Sequence, residues 1–257
     1  MVENLFISLS SIVFVVAGLF TLNKGRAERA ESTRMEETET TAIRALEPGP
    51  VEVKGTVHGT EDATLRKSPI DGRDALAVHI EVKELHSDGN GPGNWQTVFE
   101  DETAEPLFVD DGTGEVLVDL PADGGLNLEQ SEWKVEAGDD PPAEIRTYVE
   151  NEPALDLPDG VDIGPLSTGE PRRYLEGTLE PGEDAYVLGT ARETDAGWDN
   201  REYVIDEPTP DDDFILSDKS EATLIEEGRS SGLVLLVAGA LITAIGLSGL
   251  VSPFLSI

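Results

Sequence analysis

LAVHIEVKEL, Leu76 to Leu85, is the stretch whose reading decides the fold. Leu76, Val78, Ile80 and Val82 fall on one side of a two-residue repeat, and Ala77, His79, Glu81 and Lys83 on the other. Alternation of this kind is a strand with one buried face. Downstream, the turn-forming residues Ser87–Asn94 lead to Trp95–Phe99, which resumes β character and predicts a hairpin partner. Leu107–Val109, the turn Asp110–Gly114 and Glu115–Asp119 form the clearest hairpin, two β-prone runs around a glycine-containing turn. Upstream, Pro48-Gly49-Pro50 excludes helix, Val51–Val57 alternates again, and Ser68–Arg73 has turn composition. Arg173–Leu179 and Ala185–Ala191 are two further strands around Pro181-Gly182, and Tyr203–Ile205 and Phe214–Leu216 are short candidates. Within the Pro- and acid-rich region Gly138–Asp162, Ile145–Val149 fits either a short strand or a helical turn. The expected fold is mainly β, an antiparallel sandwich or partly open barrel, flanked by two transmembrane helices.

The chain echoes itself. Leu46-Glu47-Pro48-Gly49 precedes a strand ending Gly55-Thr56-Val57, and Leu179-Glu180-Pro181-Gly182 precedes one ending Gly189-Thr190-Ala191. Two copies about 130 residues apart do not make a solenoid. They are either symmetry-related strands of one barrel or sandwich, or a chance recurrence of a good turn.

The two ends differ from the middle. Leu5–Leu22 and Gly232–Leu255 carry no charge. A helix of about 20 apolar residues spans a hydrocarbon core of about 30 Å. The first segment lacks the basic start of a signal peptide, and Lys24, Arg26 and Arg29 follow it, so it reads as an uncleaved anchor. The organisation expected is a transmembrane helix over 1–22, a polar juxtamembrane segment over 23–43, an acidic β-rich domain over 44–216, a second juxtamembrane segment over 217–231 and a second transmembrane helix over 232–257. Asn23–Arg44 fits a solvated helix or a flexible linker equally. Ser217, with Glu221 near the capping-box position, is the expected cap of a short juxtamembrane helix. Gly232, Gly239 and Gly246 recur every seven residues, close to one helix face. Small residues let membrane helices approach closely, which predicts packing against the first helix or against another copy, the latter giving a homo-oligomer.

The chain holds 53 acidic and 18 basic residues, a net charge of -35. All of these except Glu3 lie between the apolar segments. Such a surface repels itself at ordinary ionic strength. At about 1 M salt the Debye length falls to about 3 Å, so the composition fits a salt-adapted cell. It also argues against nucleic acid as a partner, which needs a basic footprint.

No cysteine is present, which removes disulfides, thiolate nucleophiles and cysteine-based zinc sites. The histidines His58, His79 and His86 show no metal-ligand spacing and read as exposed surface residues. No nucleophile elbow or phosphate loop occurs in a credible context. Asp110–Gly114 lacks the further oxygen ligands of a calcium loop and reads as a turn. No catalytic residue, metal ligand or cofactor is therefore assigned.

The order of these motifs resembles a known family. Pro48–Thr56, Ser68–Arg73, Trp95 with Thr97, Phe108–Gly114 followed by Val116–Asp119, Gly177–Gly182 with Tyr186–Gly189, and Phe214–Ser217 before an apolar helix are carried in that order. This is similar to the "beside a membrane" (BAM, or GIDE-type) domain of the mitochondrial ubiquitin E3 ligase family and its prokaryotic relatives, over about residues 44–255. Ligases of that family add a zinc-binding RING module built on cysteine. With no cysteine, ligase chemistry does not follow from the resemblance. The resemblance implies a membrane-linked binding or scaffolding module whose partners are the lipid bilayer and an unidentified protein. The other readings are an accessory subunit of a membrane protein quality-control or ubiquitin-like modification system, and a hydrolase using carboxylates. Lys24, Arg26, Arg29 and Arg229 argue for a cytoplasmic middle domain, whereas the resemblance implies the opposite face.

Overall fold

The computed structural model describes residues 2–60, 63–86, 93–121, 124–137, 139, 141–152, 155, 170–194, 203–206 and 214–255. Most of the expected turn Ser87–Asn94, and 138, 140, 153–154 and 156–162 of the Gly138–Asp162 region, lie outside the described residues. In chain order the elements are α1 (Val2–Glu37), β1 (Gly49–Gly59), β2 (Arg66–Lys67), β3 (Asp74–Ala75), β4 (Ala77–His86), β5 (Asn94–Ala104), β6 (Leu107–Asp110), β7 (Glu115–Val118), β8 (Gln130–Val135), α2 (Ala143–Asn151), β9 (Arg172–Leu179), β10 (Asp184–Glu193), β11 (Tyr203–Asp206), β12 (Ile215–Ser217) and α3 (Glu221–Leu255). Among the described residues twelve strands and one α-helix, α2, lie between α1 and α3. The helix is concentrated in α1 and α3, so the part between them is β-rich. Two compact units result: Met1–Glu39 with Ser220–Ile257, and Thr40–Lys219.

In the Thr40–Lys219 unit, five strands close a barrel. β1 pairs with β6, β6 with β7, β7 with β11, β11 with β10, and β10 returns to β1. All these pairings are antiparallel except β7–β11, where Val204 and Ile205 lie beside Leu117 and Val118 in parallel. The barrel is closed rather than partly open, and this parallel contact completes the ring. Val53, Val57, Val109, Val116, Val118, Val187, Ile205 and Leu216 fill its interior at 0–1 % exposure. Burying such a side chain is worth roughly 1.5–3 kcal/mol relative to leaving it in water.

The sequence echo is a symmetry of this barrel. β1 and β10 are direct antiparallel partners with Val53 opposite Val187. Thr56 then pairs with Asp110 on β6, and Thr190 with Asp206 on β11. Gly55 and Gly189 precede these crossing points, and each abuts the incoming strand. A Cβ on Gly189 would lie 2.7 Å from Ile205 Cγ2, and one on Gly55 would collide with the Asp110 carbonyl.

A second, four-stranded sheet has the order β5-β4-β9-β8, and β2 and β3 pair in a two-stranded one. β8 is absent from the sequence-based expectation, because Gln130–Val135 shows little apolar alternation. On one face Val82 and Tyr174 pack with Ile145 and Val149 of α2 and with Ile70. Ile145–Val149 is thus helical, its two apolar residues four apart on one face. β9 and β10 flank the Pro181-Gly182 turn, where Gly182 takes φ 91°, but they enter different sheets. Glu176 on β9 is fully buried. It accepts hydrogen bonds from Ser68 Oγ at 3.1 Å, Ile70 N at 3.0 Å and Asp71 N at 2.9 Å, pinning the Ser68–Arg73 turn so that Ile70 reaches the core.

The β6–β7 turn uses Gly112 at φ 79°. Beside it, the Asp111 carboxylate accepts from Thr113 N at 2.7 Å, Ile43 N at 2.9 Å and Gly114 N at 3.1 Å. Burial alone would raise the Asp111 pKa, but these bonds and that of the Thr113 hydroxyl outweigh it and hold the carboxyl below its usual value. A folded-state pKa below the unfolded one adds stability above the unfolded pKa of about 3.9, lost as pH falls through the folded value. Asp119 and Asp218 are shifted upward, chiefly by burial. Their contributions therefore have the opposite sign, present at low pH and lost as pH rises through their folded pKa. Asp111→Ala is expected to cost about 2 kcal/mol at neutral pH. Urea unfolding of both proteins across pH should show that difference shrinking below about pH 4; a difference independent of pH would contradict the assignment.

In the Met1–Glu39 and Ser220–Ile257 unit, α1 continues unbroken to Glu37 and α3 begins at Glu221. Asn23–Glu37 is helix rather than flexible linker, and Glu221–Ser231 is the start of α3 rather than a separate turn. The cap is Ser220, whose Oγ accepts from Thr223 N at 3.2 Å. Ser217 cannot serve, because it ends β12 paired with Tyr186. α3 is long and apolar enough to cross a membrane.

Candidate functional site

The β-sheet register builds a polar cluster on the face of the β5-β4-β9-β8 sheet opposite α2. Residues directly opposite on paired strands share a face. His79 on β4 lies opposite Glu102 on β5 and opposite Gly177 on β9, and Gly177 lies opposite Gln130 on β8. One row across the sheet is therefore Glu102, His79, Gly177, Gln130. Glu100, two residues before Glu102, belongs to the next row, opposite Glu81.

His79 Nε2 is 3.1 Å from Glu100 Oε1 and 3.9 Å from Glu102 Oε1. Its Nδ1 is 3.3 Å from Gln130 Nε2. Gly177, which has no side chain, stands between His79 and Gln130 in this row. A Cβ there would lie 3.5 Å from Gln130 Cγ and 2.7 Å from Leu128 Cβ. Glu102 is held from its other side, where Oε2 accepts the Leu126 N–H at 2.8 Å. A cavity of about 630 Å³, lined by Glu100, Glu102, Thr103, Leu120 and Pro121 among others, opens beside the carboxylates.

Glu81 belongs to the same face but is otherwise committed. It accepts from Thr97 Oγ1 at 2.5 Å and pairs with Lys83 at 2.7 Å. Burial pushes its pKa up, and the bonds from Lys83 and Thr97 more than reverse this, holding the carboxyl below its usual range.

His79 is not the exposed surface residue expected. Its side chain is 12 % exposed, against 40 % for His58 and 45 % for His86. The covering segment around Leu126 and the β8 strand account for the difference, and neither is visible from the local alternation around His79. His58 stacks near Phe108 and approaches Glu115, and His86 approaches Glu84, so the three histidines do not converge. One imidazole and two carboxylates within 4.8 Å of one another are a donor set for a cation.

The glycines singled out on α3 lie together on the side facing α1. A Cβ on Gly232 would lie 3.0 Å from Gly25 O, one on Gly239 2.7 Å from Leu22 N, and one on Gly246 2.8 Å from Ser11 O. The two helices run antiparallel, so Gly25 meets Gly232 and Gly18 meets Gly239. The α1 side of this seam, Ser11, Gly18, Gly25 and Ser32, is itself a seven-residue repeat of small residues. That spacing was readable in the sequence, but the serines masked it. Outside the seam, Val13, Val16 and Phe20 on α1 and Val234, Val237 and Leu241 on α3 are exposed by more than half.

No family model matches the chain, and comparison with curated proteins and with solved structures finds no match.

Proposed function

We propose that the chain is a membrane-anchored, non-enzymatic binding or scaffolding module of the BAM/GIDE kind without ligase chemistry, held in the bilayer by both α1 and α3. The observation that supports the anchoring is the sorting of side chains on the helix pair. Small residues meet in the seam, and large apolar ones point outward from both helices. In water an apolar surface of this extent is a liability, and in lipid it is the required exterior. Helix packing in lipid has no hydrophobic drive between helices and depends on such close approach. The polar stretches also sit side by side. Gly25, next to Lys24 and Arg26, meets Gly232, next to the Glu226–Arg229 stretch, and Arg229 pairs with Glu36 at 2.5 Å. Charge thus begins at the same level on both helices, as a common water interface requires.

The test is membrane extraction of the full chain. The protein should stay with membranes through an alkaline carbonate wash, float with vesicles, and need detergent for release. Val237→Asp or Leu241→Asp should each cost about 3–4 kcal/mol of insertion free energy and shift protein to the soluble fraction. Release of the unaltered protein by carbonate would sink the proposal.

A further inference from the structure

The geometry points to a divalent transition-metal site: we propose that His79 Nε2, Glu100 and Glu102 bind one ion of the Zn(II) class, with Gln130 orienting the imidazole. This does not depend on the membrane reading, since the residues all lie on the β5-β4-β9-β8 sheet.

Ligand atoms about 2.0–2.2 Å from a tetrahedral ion sit about 3.3–3.6 Å from one another. The two distances from His79 Nε2, 3.1 Å to Glu100 and 3.9 Å to Glu102, bracket that value. The two carboxylates and the imidazole lie within 4.8 Å of one another, so side-chain rotation of the glutamates closes the set around an ion. The strands fix the donors: His79 and Glu102 are cross-strand partners, and Glu100 reaches in from the adjoining row.

Charge favours the ion. One imidazole, even protonated, leaves two clustered carboxylates with an uncompensated negative charge, whereas a divalent cation neutralises both. The imidazole also selects the metal. Nitrogen with carboxylate suits zinc and its neighbours, and calcium and magnesium prefer all-oxygen sites.

Gln130 supplies the imidazole with an outer partner. A metal-binding histidine nearly always donates its second ring N–H to an outer partner, which fixes the tautomer. Gln130 reaches His79 Nδ1 at 3.3 Å across the gap left by Gly177. Its amide can serve both states. With the amide N–H donated to Nδ1, the Nε2–H faces Glu100. With the amide turned over, its oxygen accepts the Nδ1–H and Nε2 presents a lone pair to the metal. A lysine or glutamate at this position serves only one of the two. Three protein ligands leave a further coordination position for water or a ligand group, and the adjoining cavity gives it room.

The experiment is calorimetric titration of the full-length, detergent-solubilised protein with Zn(II) in molar KCl, which screens diffuse binding to surface carboxylates. Co(II) absorption serves as a second readout of coordination. One equivalent should bind, with a tetrahedral-type Co(II) spectrum. His79→Ala should weaken binding at least 100-fold, and Gln130→Ala about 10–100-fold. His58→Ala should change nothing. Glu100→Gln, at a residue whose side chain is 54 % exposed, tests the ligand set without threatening the fold and should weaken binding in the same direction. Lack of a saturable site, or binding unchanged by both His79→Ala and Glu100→Gln, would overturn the assignment.

Discussion

Replacing Glu176 with alanine is expected to lower the unfolding free energy of the Thr40–Lys219 unit by about 3–5 kcal/mol. The carboxylate has 0 % exposure and accepts from three donors of one turn: Ser68 Oγ, Ile70 N and Asp71 N. Removing it leaves donors of a buried turn without partners, at about 1–3 kcal/mol for each one kept from water. The turn is free to relax toward solvent, which caps the loss, but relaxation withdraws Ile70 from its contacts with Val82 and Tyr174. Either route is expensive against a total stability of about 5–15 kcal/mol. Glu176→Gln should lose less, since the amide keeps one acceptor oxygen and places its NH₂ against the remaining donors. The measurement is urea unfolding followed by tryptophan fluorescence. A loss below about 1 kcal/mol for Glu176→Ala would mean that the turn is held by something else.

Gly239→Leu should separate the α1–α3 pair. A Cβ at this position would lie 2.7 Å from Leu22 N, 2.8 Å from Leu22 Cγ and 2.9 Å from Gly18 O. Two of these atoms are backbone and cannot rotate away. The helices must move apart, and the neighbouring contacts at Gly232 and Gly246 loosen with them. Overpacking of a tight interface typically costs about 1–3 kcal/mol, and a clash with backbone places this substitution at the upper end, about 3 kcal/mol. The change should appear as a lower SDS fraction at the midpoint of helix-pair dissociation. Val237→Leu, on the exposed side of α3, is the control and should leave the midpoint where it was. An unshifted midpoint for Gly239→Leu would remove the seam as a source of stability.

The strand at Leu76–Leu85 and the hairpin around Gly112 were legible because their signals are local. Side chains two apart share a face of a strand, and a glycine at positive φ marks a tight turn. The same locality explains the failures. β8 was invisible because Gln130–Val135 contributes mostly polar and half-buried residues, and α2 was ambiguous because nine residues hold only two buried apolar positions. The turn at Pro181-Gly182 was plain, but nothing near it says that β9 and β10 belong to different sheets.

The candidate metal cluster shows the limit most sharply. His79 on a polar strand face was readable, and so was the pair of glutamates two apart at Glu100 and Glu102. What joins them is a register that shifts between Val82 and Lys83. A slip of one residue there would turn both glutamates to the other face of the sheet. Gln130 enters from a strand that the sequence did not reveal.

By itself the sequence determined the apolar length of α3, the acidic surface, the absence of thiol chemistry, and the period-two runs that make the centre β-rich. Each is set by composition or by residues within a few positions of one another. Only the tertiary structure decided that the barrel closes, that β1 and β10 are symmetry-related partners, and that a histidine, two glutamates and a glutamine converge. Those outcomes depend on pairings between residues up to about 140 positions apart, where the energy of packing a shared core outweighs any local preference.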